Sequence, residues 1–230
     1  MKAVVLLSGG ADSATCLGQA VMACHKENVR ALSIYYGQKH KKEIQSAIAV
    51  AEHYGVPLYQ MDLSEAYKFS DCPLLAGSKQ EIEHKSYAEQ LHGEEHTVAT
   101  YVPFRNGLML STAAALALSW FPNEEVSLWY GAHADDAAGR AYPDCTIEFA
   151  QAMGAALHEG SGNKLTLITP LISLNKAGVI HIGSLIGVPY ELTWSCYEGG
   201  DVHCGTCGTC IDRKNAFKKA GIPDPTVYKE

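Results

Sequence analysis

A short loop with two adjacent glycines, SGGADS at residues 8–13, follows a continuous apolar run at residues 3–7. Such a run is typical of a strand that is buried on both faces of a sheet, and a helix is expected to begin near Asp12. Open α/β sheets bind their ligands where strands end, and the first turn of a helix offers free N–H groups to phosphate. Residues 8–13 therefore predict a phosphate-binding loop between the first strand and the first helix.

The residue types in this loop suit a nucleotide phosphate. Gly9 and Gly10 permit positive φ angles and close approach of the backbone. The hydroxyls of Ser8 and Ser13 can donate to phosphate oxygens, and Asp12 can hold a Mg²⁺ ion. No G-x-x-x-x-G-K-[ST] motif places a lysine on a γ-phosphate, and no G-x-G-x-x-G motif indicates a dinucleotide. The alternative is a plain strand-to-helix turn that only caps the helix.

Strand-like and helix-like segments alternate along most of the chain. Periodicity predicts further strands at 29–35, 56–63, 126–130 and 165–169, and helices at 41–54, 106–120, 146–157 and 175–186. This alternation favours right-handed βαβ units, and hence an α/β fold with a doubly wound, mostly parallel sheet. Residues 64–100 interrupt the pattern, because they are polar and lack clear periodicity. A segment of this length is predicted to be either a lid over the active site or partly mobile.

The charge and hydropathy of the chain argue against two classes of partner. The net charge of −7 over 230 residues disfavours direct docking onto a nucleic-acid backbone, which needs a basic face. The longest apolar segment, at residues 113–118, falls short of the roughly 20 residues that span a membrane. The apolar run at 3–7 is too short for a secretory signal. We therefore expect no direct nucleic-acid binding, no membrane association and a cytoplasmic location.

Four of the eight cysteines cluster near the C-terminus. In a reducing compartment, closely spaced cysteines suggest a metal site and not disulfides. The spacing C-x₇-C-x₂-C-x₂-C matches a closed tetrahedral site, for which Zn²⁺ is the default ion and a structural role is expected. The predicted ligands are Cys196, Cys204, Cys207 and Cys210. An iron–sulfur centre is the alternative. His203 can in principle replace one cysteine, although we expect its side chain to face solvent.

The loop at 8–13 resembles the SGGxDS motif of the ATP-pyrophosphatase, or PP-loop, superfamily. The resemblance implies an adenine-nucleotide α-hydrolase-like fold, in which the loop holds pyrophosphate as the leaving group while AMP passes to the substrate. It implies ATP and Mg²⁺ as cofactors, with ATP against the loop and the first turns of the helix. The implied ATP-binding residues are Leu7, Ser8, Gly9, Gly10, Ala11, Asp12, Ser13, Ala14, Thr15, Cys16 and Leu17.

Four further segments narrow the resemblance. They are YGQKH at 36–40, VPFRN at 102–106, YPDC at 142–145 and SCY at 195–197. In this order, together with the loop, they are similar to the 7-cyano-7-deazaguanine synthase family, and the similarity extends over essentially the whole chain. Ala141 departs from the pattern, because a glycine is expected before YPDC. The departure affects the local backbone shape and leaves the implied chemistry intact.

This resemblance implies ATP-dependent conversion of 7-carboxy-7-deazaguanine and ammonium to 7-cyano-7-deazaguanine, in queuosine biosynthesis. Such an enzyme is a C–N-forming ligase that adenylates the carboxylate, accepts ammonia to form the amide, and adenylates the amide before AMP leaves. The resemblance also implies one structural Zn²⁺ per chain and a homodimer. The implied catalytic residues are Ser8, Asp12, Ser13 and Arg105. The implied substrate contacts are Tyr36, Gln38, His40, Arg105, Asp135, Tyr142 and Asp144.

Several of these residues also have simpler structural explanations. Asp144 can serve as the N-cap of the helix that follows it, and Asp135 and Asp136 can lie in a solvated loop instead of binding a base or Mg²⁺. A buried Arg105 needs an anionic partner, because an unpaired buried charge is costly. A nucleophilic Cys145 is a further alternative, which the implied route does not require.

Two other functions are compatible with the sequence. A PP-loop enzyme that thiolates tRNA or forms lysidine would act on RNA directly and would need a basic docking face. A zinc-ribbon module on a non-catalytic nucleotide fold would bind nucleotide without turnover. For the organisation of the chain, we expect a PP-loop α/β domain over residues 1–190 and a small zinc-binding segment over 191–230 packed on it.

Overall fold

The computed structural model describes residues 1–90 and 97–229. Five strands form one sheet in which every neighbouring pair is parallel, in the order β3-β2-β1-β4-β5. The strands are β1 (Lys2–Leu6), β2 (Val29–Tyr35), β3 (Leu58–Asp62), β4 (Val126–Trp129) and β5 (Leu165–Ile168). The predicted α/β class is confirmed, and the sheet is wholly parallel where the sequence predicted a mostly parallel one.

Helices connect the strands and cover both faces of the sheet. They are α1 (Ala11–Cys24), α2 (Lys42–Tyr54), α3 (Tyr87–Gln90), α4 (Arg105–Trp120), α5 (Ala134–Ala137), α6 (Ile147–Gly160), α7 (Lys176–Leu185) and α8 (Gly208–Ala220). The helices that periodicity predicted begin and end within about three residues of these bounds. Over the described ranges, none of the helices is both long and apolar enough to cross a membrane.

The central strand β1 separates two halves of the hydrophobic core. Ala3 and Val5 face the half that contains residues of α1, α2, α7 and α8. Val4 faces the half that contains residues of α4 and α6. Successive side chains of a strand point to opposite faces, so a strand covered on both sides must be apolar at every position. This requirement explains the uninterrupted apolar run that precedes the glycine loop.

The order of the strands reverses at β1, which pairs with β2 on one side and with β4 on the other. The helix α1, after β1, packs on one face of the sheet, and α6, which lies between β4 and β5, packs on the opposite face. A crevice opens between two such connections at the carboxyl ends of the strands, where open α/β sheets bind ligands. The glycine loop and the first turn of α1 lie at this crevice.

The helix α8 was not predicted, because its hydrophobic periodicity is weak in a segment rich in cysteine, glycine and lysine. It nevertheless contributes Ala216 and Phe217 to the core beside α1 and α7. The Phe217 ring meets Tyr190 edge to face, with ring centroids 5.3 Å apart. The C-terminal segment is therefore packed against the main core, while a domain boundary at residue 190 stays a prediction.

Residues 64–90 form an irregular layer over the end of β2. Gln38 pairs with Leu75 in an isolated antiparallel bridge. A small hydrophobic cluster anchors the layer; its buried members are Tyr36, Tyr67, Cys72, Leu74, Leu75 and Val102. The described part of the segment that the sequence predicted as a lid or as mobile is thus held by buried side chains. The rest of that prediction falls on residues 91–96, which lie outside the described residues.

Candidate nucleotide and substrate site

A cleft opens at the carboxyl end of the sheet, where the strand order reverses. Its walls come from the glycine loop, the ends of β2 and β4, the first turns of α2 and α4, and the C-terminal segment. The predicted site residues that line it are Leu7, Ser8, Gly10, Ala11, Asp12, Ser13, Tyr36, Gln38, Arg105 and Tyr142. The structure therefore brings most of the phosphate loop and part of the predicted substrate set to one place.

The phosphate loop is held in shape by its own side chains. The Ser8 N–H donates to Ser13 Oγ at 3.2 Å, and Ser13 Oγ donates to the Gly10 carbonyl at 3.1 Å. Gly9 has a φ of +91°, and a Cβ at this position would lie 2.2 Å from the Glu43 carbonyl oxygen. Gly10 is the N-cap of α1, and no described side chain caps that helix. The N–H groups of its first turn are therefore available to an anion.

A backbone hydrogen bond ties this loop to the C-terminal segment. The Trp194 N–H donates to the Gly9 carbonyl at 2.9 Å. The indole N–H of the same residue donates to the Cys196 carbonyl at 2.7 Å. Trp194 and Ser195 also line the cleft. The segment that carries the first predicted metal ligand is thus packed directly against the phosphate loop.

Asp12 belongs to a charge cluster that the sequence analysis missed. Lys176 Nζ donates to Asp12 Oδ2, and His133 Nε2 lies 3.6 Å from Asp12 Oδ1 and 3.3 Å from Asp136 Oδ2. Burial opposes ionisation, but the charges of Lys176 and His133 hold the pKa of Asp12 below its ordinary value. Burial also opposes the charge of Lys176. The negative charges of Asp12 and Asp136 outweigh this effect of burial and raise the pKa of Lys176. Lys176 is therefore an ammonium that lines the cleft beside the loop.

The position of Lys176 was available from the sequence, although its role was not recognised. It is the first residue of α7, and Asn175 caps this helix by accepting from the Gly178 N–H at 2.8 Å. A helix start that follows a strand lies at the carboxyl edge of a parallel sheet. Asp212 of α8 also lines the cleft, and burial raises its pKa to about 6 although Lys176 lowers it. No sequence signal pointed to Asp212, because α8 itself was not predicted.

Arg105 begins α4 and presents its charge to another part of the cleft. Its guanidinium lies 5.0 Å from the centroid of the Tyr36 ring and donates to the Tyr36 hydroxyl at 3.2 Å. Burial opposes the charge, but Tyr36, Tyr197 and Asp144 keep the Arg105 pKa above its ordinary value. No described carboxylate lies within ion-pair distance of this guanidinium. A permanent cation without an anionic partner is suited to bind an anionic ligand.

Three tyrosines from distant parts of the chain meet at the cleft. The Tyr87 and Tyr197 hydroxyls are 2.8 Å apart, the Tyr142 and Tyr197 hydroxyls are 3.5 Å apart, and Tyr142 also meets Thr100 Oγ1 at 2.7 Å. Burial raises the pKa of all three phenols, so they stay neutral. Tyr87 belongs to the segment after β3, which therefore contributes a side chain to the cleft wall.

Asp144 supports a different helix from the one that the sequence suggested. Thr146 caps α6 by accepting from the Phe149 N–H at 3.1 Å, whereas Asp144 Oδ2 accepts from the Asn106 N–H in the first turn of α4 at 2.9 Å. The alternative that Asp144 caps the helix that follows it is therefore wrong. The turn at 142–145 packs against the start of α4, so Asp144 accepts from that helix instead. Asp144 is buried and does not line the cleft. Burial raises the pKa of the adjacent Cys145 thiol, which leaves the nucleophile alternative without support.

The other predicted site residues lie outside the cleft lining. Asp135 Oδ2 accepts from the Lys176 N–H at 2.8 Å at the start of α7. The His40 ring packs against Trp194, with ring centroids 6.4 Å apart, beside the C-terminal segment. The buried face of α1 contains Ala14, Thr15, Cys16 and Leu17. These positions show packing contacts, and the predicted binding roles stay predictions.

The four predicted cysteine ligands meet beside the cleft. Their Sγ atoms all lie within 4.8 Å of one another. The Cys204 N–H donates to Cys196 Sγ and the Cys207 N–H donates to Cys204 Sγ, each at 3.3 Å. Cys210 is fully buried. Four converging sulfur atoms, two of which accept main-chain hydrogen bonds, can hold one tetrahedral metal ion.

His203 is buried, contrary to the expectation that its side chain faces solvent. Its ring stacks on Trp194 at a centroid distance of 4.2 Å, and its Nε2 accepts from the Ser195 N–H at 3.1 Å. Tyr228 also contacts the same ring. Trp194, Ser195 and Tyr228 therefore enclose the ring. These contacts depend on the fold, so a local sequence pattern does not predict them. The buried Arg213 donates to Ser195 Oγ at 3.2 Å and fixes the same stretch of the cleft wall.

The parallel sheet, the reversal at β1 and the uncapped SGG loop together define a nucleotide-binding α/β protein of the PP-loop class. The model of one protein family, described as queuosine biosynthesis protein QueC, matches residues 2–221. The chain belongs to this family.

Individual relatives agree with that assignment. The chain is 39% identical over 231 residues to the 7-cyano-7-deazaguanine synthase of Archaeoglobus fulgidus, a match that covers 100% of this chain and 91% of that protein. It is 40% identical over 235 residues to the synthase of the same name from Thermoplasma acidophilum, covering 100% and 92%. The structure of NMN synthetase from Francisella tularensis is similar in fold, with a TM-score of 0.50 at 19% identity over 96% of this chain and 78% of that one.

These findings confirm the family that the five sequence segments indicated. They identify the chain as an enzyme, and they favour the small-molecule synthase over a PP-loop enzyme that modifies tRNA directly. The four predicted cysteines converge in space, and most of residues 8–13 line the cleft, while the phosphate-binding role of that loop stays a prediction.

The contact between Asp144 and α4 yields a test of a structural role. Asp144→Ala should lower the free energy of unfolding by about 1–3 kcal/mol, because it leaves the buried Asn106 N–H without an acceptor. Asp144→Asn should cost clearly less, because the amide oxygen can accept the same bond without burying a charge. Urea unfolding of both variants measures the difference. Equal destabilisation by both substitutions would contradict the assigned hydrogen bond.

Proposed function

We propose that this protein converts 7-carboxy-7-deazaguanine and ammonium to 7-cyano-7-deazaguanine with consumption of ATP. The observation that carries the proposal is that one cleft combines an uncapped phosphate loop with the unpaired cation Arg105. The loop suits a leaving pyrophosphate, and the cation suits the carboxylate that must be activated. The names of the relatives supply the identity of the base.

The chemistry follows from the poor reactivity of a carboxylate toward ammonia. A carboxylate oxygen attacks the α-phosphorus of ATP and displaces pyrophosphate. The product is a mixed anhydride between the carboxylate and AMP. Ammonia attacks the carbonyl carbon, AMP leaves and a proton is released, which gives the amide. The amide oxygen then attacks the α-phosphorus of a second ATP and pyrophosphate leaves; loss of AMP and of both nitrogen-bound protons gives the nitrile. This sequence makes the protein a C–N-forming ligase that uses its phosphate loop twice.

Several residues of the cleft can stabilise the charges in these steps. Ser8, Ser13 and the N–H groups at the start of α1 would bind the departing pyrophosphate, and the ammonium of Lys176 would balance its charge. Arg105 would hold the carboxylate in line with the α-phosphorus. Tyr36, which lines the cleft beside Arg105, is a proposed contact for the base.

Mg²⁺ is the proposed ion at the phosphates, and Asp12 is its proposed ligand. Asp12 Oδ1 is buried and has no hydrogen-bond partner among the described residues, whereas Oδ2 is taken by Lys176. A carboxylate oxygen that accepts no hydrogen bond and lies next to bound phosphates is a typical ligand for this ion. Bound there, Mg²⁺ would neutralise charge on the phosphate oxygens while Asp12 orients it.

Zn²⁺ is the proposed occupant of the cysteine cluster, with one ion per chain and a structural role. Sulfur atoms that all lie within 4.8 Å of one another suit a single central ion. A four-iron cluster would need ligands spread around a cube, so the iron–sulfur alternative is disfavoured. Four cysteines leave no open position for substrate, and the ion would serve to hold the cleft wall at Trp194 and Ser195.

Ammonium as the nitrogen source and a homodimeric assembly complete the proposal. Both rest on the resemblance to the family.

The reaction itself is the first test. Purified protein incubated with 7-carboxy-7-deazaguanine, ATP, Mg²⁺ and ammonium should release AMP and pyrophosphate and form the nitrile. Chromatography of the nucleotides and mass spectrometry of the base measure both products, and two molecules of AMP are expected for each nitrile. Release of ADP in place of AMP, or AMP formation that depends on added tRNA, would contradict the proposal.

Lys176→Met tests the cation that the sequence analysis missed. The variant should lower kcat by about 10²–10³-fold, because it removes a positive charge that faces the leaving pyrophosphate. Lys164→Met is the matched control, since Lys164 donates to the Pro122 carbonyl at the protein surface and should be dispensable. AMP release measures both variants. Wild-type turnover in Lys176→Met would remove Lys176 from the mechanism.

The metal proposal is tested by elemental analysis. We expect one zinc and no iron per chain, and Cys207→Ser should lose the zinc and melt at a lower temperature. Cys24→Ser is the control, because Cys24 belongs to the main core and not to the cluster. Iron in the purified protein, or full zinc content in Cys207→Ser, would overturn the assignment.

A further inference from the structure

Glu43 is the one cleft carboxylate, within the described part of the chain, that the proposed reaction leaves without a partner. Three others that line the cleft, Asp12, Asp136 and Asp212, all contribute to the electrostatic environment of Lys176. Glu43 lies apart from them, in the first turn of α2. Its side chain makes no hydrogen bond and no ion pair with any described residue.

The surroundings of Glu43 place it next to the proposed substrate contacts. Its carbonyl oxygen packs against Gly9, so its backbone is fixed beside the phosphate loop. Its charge acts on Tyr36, and Arg105 acts on it in turn. Glu43, Tyr36 and Arg105 therefore face the same region of the cleft. The Glu43 carboxyl group and the Arg105 guanidinium are both present there but are not within ion-pair distance of each other.

Glu43 is in an environment that favours a hydrogen-bonding ligand. Withdrawal from water raises the pKa of Glu43 to about 7, although Arg105 lowers it. A partly buried carboxylate without protein donors is less well stabilised than one in water, and two donors from a ligand would offset that cost. The positive end of the α2 dipole at this first turn favours the ionised form once such donors are present.

We propose that Glu43 recognises the guanine-like edge of the substrate, an inference that rests on the proposed function. The deazaguanine base carries two adjacent donors, the N1–H and the 2-amino group, which match the two oxygens of a carboxylate. Its 7-carboxylate lies at the other end of the ring system, where Arg105 is the complementary group. The cleft thus presents an acceptor and a cation to a base that carries donors at one end and an anion at the other.

The bidentate match separates this base from the other ligands of the reaction. The adenine of ATP offers one exocyclic amine and no ring N–H beside it. Ammonium is a point cation that requires no second acceptor in a fixed plane. Only the guanine-like edge uses both carboxylate oxygens at once, so discrimination by the 2-amino group is the property that Glu43 should supply.

The test compares two substrates, 7-carboxy-7-deazaguanine and its analogue that lacks the 2-amino group. For the wild type, kcat/KM for AMP formation should favour the natural acid by roughly 10- to 100-fold. Glu43→Gln should lose most of this preference, because an amide presents one donor of its own to the two donors of the base. Its KM for ATP should not change.

Glu52→Gln is the matched control, since Glu52 lies on the exposed side of the same helix and should leave the preference intact. If Glu43→Gln keeps the wild-type preference, the inference is wrong. It is also wrong if the variant instead raises the KM for ATP or for ammonium while the base preference persists, because Glu43 would then bind a ribose or the nucleophile. An equal kcat/KM of the wild type for both acids would overturn it without any variant, even if Glu43→Gln fails to fold. Absence of nitrile from the wild type would instead reject the proposed function.

Discussion

The reversal of strand order at β1 is the constraint on which the site depends. The strand β1 is paired on both sides and covered on both faces. The chain emerges from this core at the carboxyl end of β1, through Gly9 and Gly10. The main chain of α2 closes directly over this turn, at Glu43. A side chain at Gly9 would separate the two helices that flank the loop. The free N–H groups at the start of α1, the proposed substrate wall and the C-terminal segment all take their positions from this narrow contact.

The cleft distributes its charges according to the ligands that we propose. On the phosphate side, Lys176 is kept charged by Asp12 and offers a cation to a polyanion. On the base side, Arg105 stands over Tyr36 without a carboxylate partner, and Glu43 stands without a donor. Separate unpaired charges cost folding free energy unless a ligand meets them. Their persistence in one cleft indicates a site whose charges are balanced only when the substrates are bound.

The metal segment acts on this cleft through the backbone. Trp194 joins the Gly9 carbonyl to the first cysteine of the cluster, and the buried Arg213 holds Ser195 from beneath. A metal ion on the four sulfur atoms would therefore restrain one wall of the nucleotide site, although it cannot take part in the chemistry. This arrangement explains why a small cysteine-rich segment, with little hydrophobic pattern of its own, is packed against the catalytic core.

The sequence by itself determined the features that are written in contiguous residues. The strand, loop and helix at 3–24 and the four cysteines from Cys196 to Cys210 were predictable, because buried strands, tight turns and metal ligands each need particular residues at short spacing. The tertiary structure alone decided the rest. Lys176 meets Asp12, and Asp144 meets the start of α4, across long stretches of chain. The proposed role of Glu43 rests on the lack of a described side chain that pairs with its carboxyl group. Only the three-dimensional positions of its neighbours show this.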